Sequence, residues 1–221
     1  MASSGQVGAV KTAMERKKIY NLKYGMHLNR RWGHPLLRMR LITRSILRAL
    51  DPRAEEMILE IGCNSGHILS EVGKRCPRCT GIDINKDMIQ RLHHQRILYM
   101  NATTLAFKDQ TFDKVYAVHT LEHIPGIRQV FTEVHRILKP EGLFVFSFPL
   151  ELFRGQSAVK DSMVLYGHPF YARKIHVHRL SPGKIRRIIS ELPFEVKDTS
   201  WDLAPFPQYL MRLKKIRVTT R

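Results

Sequence analysis

Residues 58–69 read ILEIGCNSGHIL: a short apolar run, a turn framed by two glycines, then the apolar start of a helix. A strand that runs through such a turn into a helix is the opening unit of a parallel α/β sheet. In those sheets ligands bind beyond the carboxyl ends of the strands. Gly62 lets the backbone turn tightly, and Gly66 allows a close approach by a ligand or the following helix. Asn64, between them, is among the few non-glycine residues that tolerate a positive φ. The spacing G-C-N-S-G departs from the dinucleotide fingerprint G-x-G-x-x-G, and the G-K-[ST] of a P-loop is absent. Both nucleotide-phosphate readings are thereby weakened.

The same rhythm continues downstream. Apolar runs at 57–61, 79–84, 97–100, 112–118 and 143–148 read as strands. Helical patterns at 65–74, 86–95 and 127–138 separate the first three runs and the last two, the third being stopped by Lys139-Pro140-Glu141-Gly142. Short apolar strands alternating with helices predict a doubly wound, mostly parallel sheet covered on both faces. Ser181-Pro182 caps a further helix to about Leu192, and Phe194–Val196 begins another strand. Residues 150–180 break the rhythm with Gly155, Gly167, Pro169, four aromatics and several cations, and read as a lid or insertion.

Upstream, Pro35 fits the first turn of a helix over Leu36–Leu50. Its apolar positions are Met39, Ile42, Ile46, Leu47 and Leu50, with Arg40, Arg44 and Arg48 as a basic stripe beside them. A weaker helix is expected over Thr12–Tyr24.

The chain has 221 residues and a formal net charge of +18, with 43% hydrophobic residues, an ordinary globular composition. Most of the charge lies at the two ends. Residues 1–50 carry +10 and residues 208–221 carry +5, whereas 51–207 carry only +3. This divides the chain into a basic helical N-terminal extension (1–50), an α/β domain (51–207) and a basic C-terminal tail (208–221). Basic extensions imply an anionic partner: nucleic acid, an anionic lipid surface or a phosphate-bearing substrate. No run of apolar residues is long enough to span a bilayer, and residues 1–10 lack a secretory signal pattern. Three cysteines suit a reducing compartment. A cytoplasmic protein, peripheral at a membrane in one reading, is expected.

Two acids sharpen the ligand. Glu60 lies within the first strand, where a lone buried carboxylate is costly. Asp83 closes the second strand in GIDIN, placed as the ribose-binding acid of doubly wound folds. An acid at the turn, with no phosphate to bind there, suits a ligand that is cationic at that end. An amino-acid-bearing sulfonium nucleoside fits.

The segments ILEIGCNSG, GIDINKDMI, NATTLAFKDQTFDKVYAVHTLEHI and EVHRILKPEGLFVFSFP resemble the class I S-adenosylmethionine-dependent methyltransferases, in particular their small-molecule branch. The resemblance covers residues 55–200 and implies a Rossmann-like seven-strand sheet with S-adenosylmethionine as cofactor. It implies that Glu60, Gly62, Cys63, Asn64 and Gly66 hold the methionine part and Asp83 the ribose. Ile84 and Met88 would flank the adenine, Asn101 and Ala102 would face its edge, and His119 would stand by the sulfonium. The family often has glycine at Asn64 and aspartate at Asn101; both replacements are compatible with binding.

His119, Glu122 and His123 fall at i, i+3 and i+4, so on a helical turn they share a face. With His176 or His178 they form a candidate metal site of His119, Glu122, His123 and His178. The competing expectation is that Leu121-Glu122-His123 caps a helix and binds no metal. His119 or His123 is also a candidate general base. Cys76-Pro77-Arg78-Cys79, one CxxC without a second pair, reads as structural. Phe148, Tyr166, Phe170, Tyr171 and Trp201 are candidate walls of an acceptor pocket, and Arg173, Lys174 and Arg179 candidate holders of an anionic group. The stretch 201–217 mixes Trp201, Phe206, Tyr209 and Leu210 with cations, which suits a helix lying in a membrane interface or a tail folded over the site.

The function expected is methyl transfer to an oxygen or nitrogen of a small or lipid-linked, anionic acceptor. The alternatives are an RNA methyltransferase, since +18 also serves a phosphate backbone, and a non-catalytic protein that docks through its basic ends.

Overall fold

The computed structural model describes residues 35–92, 96–202 and 207–217. The helix expected over Thr12–Tyr24, and Phe206, lie outside them. The described elements begin with α1 (Pro35–Leu50), β1 (Ile58–Ile61), α2 (His67–Gly73), β2 (Cys79–Asp83), α3 (Lys86–Leu92), β3 (Ile97–Tyr99) and β4 (Phe112–Val118). They continue with α4 (Ile127–Ile137), β5 (Leu138–Pro149), α5 (Val159–Tyr166), α6 (Ala172–Ile175), α7 (Pro182–Ile188), β6 (Phe194–Asp202) and β7 (Gln208–Lys215). Single 3-10 turns stand at Leu121–His123, Gln156–Ala158 and Pro169–Tyr171.

The strands form one seven-stranded sheet in the order β3-β2-β1-β4-β5-β7-β6. β1 pairs parallel with both β2 and β4, and β4 pairs parallel with β5. β7 is antiparallel to both of its neighbours. The order reverses beside β1, so the turn after β1 sits at the switch point.

Each face of the sheet is covered by helices. On one side Leu59, Ile61, Val115 and Phe146 pack against Val130, Phe131, Val134 and Ile137 of α4 and Ile185 of α7. On the other, Ile58, Tyr116 and Val145 pack against Ile68, Leu69 and Val72 of α2 and Ile42, Ile46 and Leu50 of α1. Helix α1 is thus a layer of the fold, and Arg40, Arg44 and Arg48 point to solvent. Ser181 caps α7, its hydroxyl accepting from the Lys184 N–H at 3.2 Å.

The stretch read as an interfacial helix is corrected. Gln208–Lys215 is β7, inserted between β5 and β6, with Met211 and Leu213 fully buried. Alternation in Met211-Arg212-Leu213-Lys214 sends the apolar side chains into the core, and Arg212 and Lys214 reach Asp198 and Glu141. β5 also starts earlier than its apolar run, at Leu138, with an irregular register against β4 between Phe112 and Lys114.

Candidate active site

The turn after β1 is built from backbone. Gly62, Asn64 and Gly66 have φ of 74°, 45° and 72°, the left-handed region in which a Cβ is strained. The N–H groups of Gly62 and Cys63 both donate to the Ile82 carbonyl, at 2.8 and 3.1 Å, tying the turn to β2. A Cβ on Gly62 would lie 2.4 Å from the Thr120 side chain, so the loop after β4 closes directly on the turn. Cys63 is buried, and desolvation pushes its thiol far up, away from nucleophilic chemistry.

Asp83 holds this arrangement from the next strand. One carboxylate oxygen accepts the Asn64 N–H and the other the Asn85 N–H, each at 2.8 Å. Asn85 in turn accepts the Met88 N–H at 3.2 Å and caps α3. Desolvation raises the Asp83 carboxyl against these hydrogen bonds. Ile84 beside it is half-buried, and the Met100 N–H donates to the Asp83 carbonyl at 3.0 Å, bringing the loop with exposed Asn101 and buried Ala102 alongside. The turn, Asp83, Asn101 and His119 therefore converge on one sheet edge, beyond the ends of β1, β2, β3 and β4.

Several expected site residues are placed differently. Glu60 is 3% exposed and lies beneath the turn, where it accepts the Tyr116 hydroxyl at 2.8 Å. Burial pushes its carboxyl up to about 8, against the lowering hydrogen bond from Tyr116, so near neutral pH it is mainly protonated. It supports the turn rather than presenting a charge. Met88, on α3, is also buried. Phe148 is not an acceptor-pocket wall: it is fully buried in the core between Phe146 and Tyr209. Trp201 is exposed near the end of β6, two strands beyond β5.

The expected substrate residues of the insertion split in two. Tyr166 stacks on Tyr171 at 5.0 Å, and Lys174 lies over the Tyr171 ring. Phe170, Arg173 and Lys174 face solvent on the outside of the insertion, and Arg179 donates to the Leu152 carbonyl at 2.5 Å.

The histidine cluster is rearranged as well. His178 turns away, its Nε2 bonded to the Ile124 carbonyl at 2.9 Å. His176 comes in instead, and the candidate ligand atoms of Glu122, His123 and His176 all lie within 4.8 Å of one another. Burial opposes charge on Glu122, but the imidazoles of His119, His123 and His176 outweigh it and hold the carboxyl below its usual range. Desolvation pulls His123 down to about 4, which makes it a poor general base at neutral pH. His119 has φ 48° and both ring nitrogens turned inward, Nε2 2.7 Å from Gln208 Oε1 and Nδ1 3.5 Å from Glu122. Cys76 and Cys79 are buried free thiols within reach of the Glu56 and Leu69 carbonyls, as a structural pair requires.

A sheet of this order, with a glycine turn and an acid at its switch point, defines the class I S-adenosylmethionine-dependent methyltransferase fold. Residues 59–146 match the family model described as a methyltransferase domain, a family whose cofactor is S-adenosylmethionine. The chain is 27% identical to 24-methylenesterol C-methyltransferase 2 of Oryza sativa subsp. japonica over 76% of its own length and 50% of the relative's. It is 28% identical to sterol 4-C-methyltransferase strm-1 of Caenorhabditis elegans over 39% of its length and 29% of the relative's. It thus spans half or less of these relatives. The structure of the YcgJ protein of Bacillus subtilis superposes with a TM-score of 0.60 at 17% identity, covering 80% of this chain and 98% of that one.

The residues present suit the cofactor. The positive-φ turn offers backbone close to a ligand, and each Asp83 oxygen keeps a second lone pair for a ribose hydroxyl. Sequence reading missed Asn85, Thr120, Glu151 and Gln208. Only Asn85 had a local signal, as a cap residue before the helix at Lys86.

Proposed function

We propose that the protein transfers the methyl group of S-adenosylmethionine to a lipid-like acceptor presented at an anionic membrane surface. The observation that carries this reading is the set of exposed apolar side chains on the insertion between β5 and α7. Leu152, Phe153, Met163, Val164 and Phe170 are exposed there, Phe153 and Phe170 each at 75%. Arg154, Lys160, Arg173 and Lys174 are exposed beside them, whereas the two acids of the segment, Glu151 and Asp161, are buried. Apolar side chains interleaved with exposed cations are the composition of a surface that sits in a lipid headgroup layer. An isolated apolar patch of this kind is otherwise a liability in water.

The insertion returns to the sheet edge where the Val177 and His178 N–H groups donate to the Glu122 carbonyl, at 3.0 and 3.2 Å. The returning leg of the insertion therefore meets the carboxyl edge of the sheet, where the Gly62–Gly66 turn also lies. Relatives named as sterol methyltransferases support an apolar acceptor. Bound S-adenosylmethionine supplies a methyl carbon already activated by its sulfonium. The task of this chain is then to hold the cofactor on the Gly62–Gly66 turn and Asp83, align the acceptor and exclude water.

The test supplies the full chain with methyl-labelled S-adenosylmethionine and either anionic vesicles carrying a total lipid extract or total RNA. Label in the lipid phase is expected, with vesicle flotation reduced by the pair Phe153→Asp and Phe170→Asp. Label in RNA would refute the acceptor class. Cofactor binding without label in either would leave a docking protein instead of an enzyme.

A further inference from the structure

Glu122 poses a physical problem. Its side chain is buried, yet neither oxygen has a hydrogen-bond donor among the described residues. His119 Nδ1 is 3.5 Å away, too far for a well-formed hydrogen bond. A buried carboxylate without donors is costly unless something electropositive meets it.

Two imidazoles face the same point, and each is oriented from behind. His123 Nδ1 lies 3.0 Å from the Ile175 carbonyl, which can only accept, so Nδ1 carries the proton and Nε2 the lone pair. His176 Nδ1 lies 2.7 Å from Glu151 Oε1, a carboxylate that also accepts from the N–H groups of Gly155 and Ser157. That contact again places the proton on Nδ1 and the lone pair on Nε2. A ring N–H given to a carbonyl or a carboxylate, with the other nitrogen turned inward, is how protein histidines are prepared to ligate a metal. The rings of His123 and His176 already lie 4.7 Å apart between centroids.

We propose that Glu122, His123 and His176 bind a divalent transition-metal ion, with Glu151 orienting His176 from the second layer. Two imidazoles and one carboxylate suit zinc or another first-row ion and leave coordination positions open. Ligand atoms within 4.8 Å need only small shifts to surround an ion at about 2.0–2.2 Å from each. The ion would join residues 122–123, just beyond β4, to the returning leg of the insertion at His176. It would thus pin the insertion at the carboxyl edge, independently of which acceptor the protein takes.

The test is zinc titration of the full, chelator-stripped chain by calorimetry, with cobalt(II) absorption as a report on ligand type. One equivalent bound through nitrogen and oxygen is expected, with a rise in Tm on loading. Glu122→Gln and His176→Asn should abolish stoichiometric binding. Glu151→Gln, which leaves all three ligands in place, should weaken it about 10–100-fold. No stoichiometric binding by the unaltered protein overturns the proposal. So does a cobalt–thiolate band, which would place the ion on Cys76 and Cys79, or binding unaffected by Glu122→Gln and His176→Asn. The spectrum of the unaltered chain decides the ligand type even if a variant fails to fold.

Discussion

Replacing Glu60 by glutamine should stabilise the protein, and increasingly so as pH rises. The carboxyl is 3% exposed, accepts the Tyr116 hydroxyl, and has its pKa raised from 4.5 to about 8, burial being the largest cause. A raised pKa means that the folded state holds the proton more tightly than the unfolded chain. The stabilisation from that proton is complete below about pH 4.5 and is lost as pH rises to about 8. Each pH unit inside this window costs about 1.4 kcal/mol, or roughly 2–3 kcal/mol between pH 5 and pH 7. The amide of Glu60→Gln can still accept from Tyr116 but cannot ionise, so the variant escapes the loss, while other titrations are common to both proteins. Urea denaturation of the two proteins at pH 5, 6, 7 and 8 measures the difference directly. Its growth with pH is the expected result. A difference that stays constant across the series would refute the buried, protonated carboxyl beneath the turn.

Two further substitutions probe the turn itself. Gly62→Ala places a Cβ 2.4 Å from the Thr120 side chain at a φ of 74°. It should cost about 1–3 kcal/mol of stability and impair S-adenosylmethionine binding, read by thermal denaturation and calorimetry; a variant that binds as well as the parent would contradict the close approach. Asp83→Asn keeps the shape but sets an amide NH2 against one of the N–H groups of Asn64 and Asn85, both of which now donate to carboxylate oxygens. A loss of about 1–3 kcal/mol in stability is expected, with at least tenfold weaker cofactor binding by calorimetry; unchanged affinity would remove Asp83 from the binding site.

Local physics made the centre of the fold legible from the sequence. Asn64 could be read as tolerating a positive φ, Gly62 as a tight turn and Gly66 as a close approach, because that demand lies within five residues, and all three adopt a positive φ. The strands from Ile58 to Val118 were legible because fully covered parallel strands are written as short apolar runs. β7 was not. Tyr209-Leu210-Met211 has apolar residues for both faces of the sheet, which masks the alternation that begins at Met211, and the following cations Arg212, Lys214 and Lys215 resemble the polar face of an interfacial helix.

The sequence by itself determined the strands from Ile58 to Val118, the glycine-framed turn after the first of them and the place of Asp83 at the end of the second, since each is specified by residue types close together in the chain. The tertiary structure decided which groups share a neighbourhood across long separations. It placed Glu60 on Tyr116 at a separation of 56 residues, took Phe148 into the core, and chose His176 over His178 as the partner of Glu122 and His123. The physical reason is that spacing encodes a shared face only within one element. Which of two histidines separated by a single residue turns inward depends on how the insertion docks, and that is set by Glu151 and the Glu122 carbonyl.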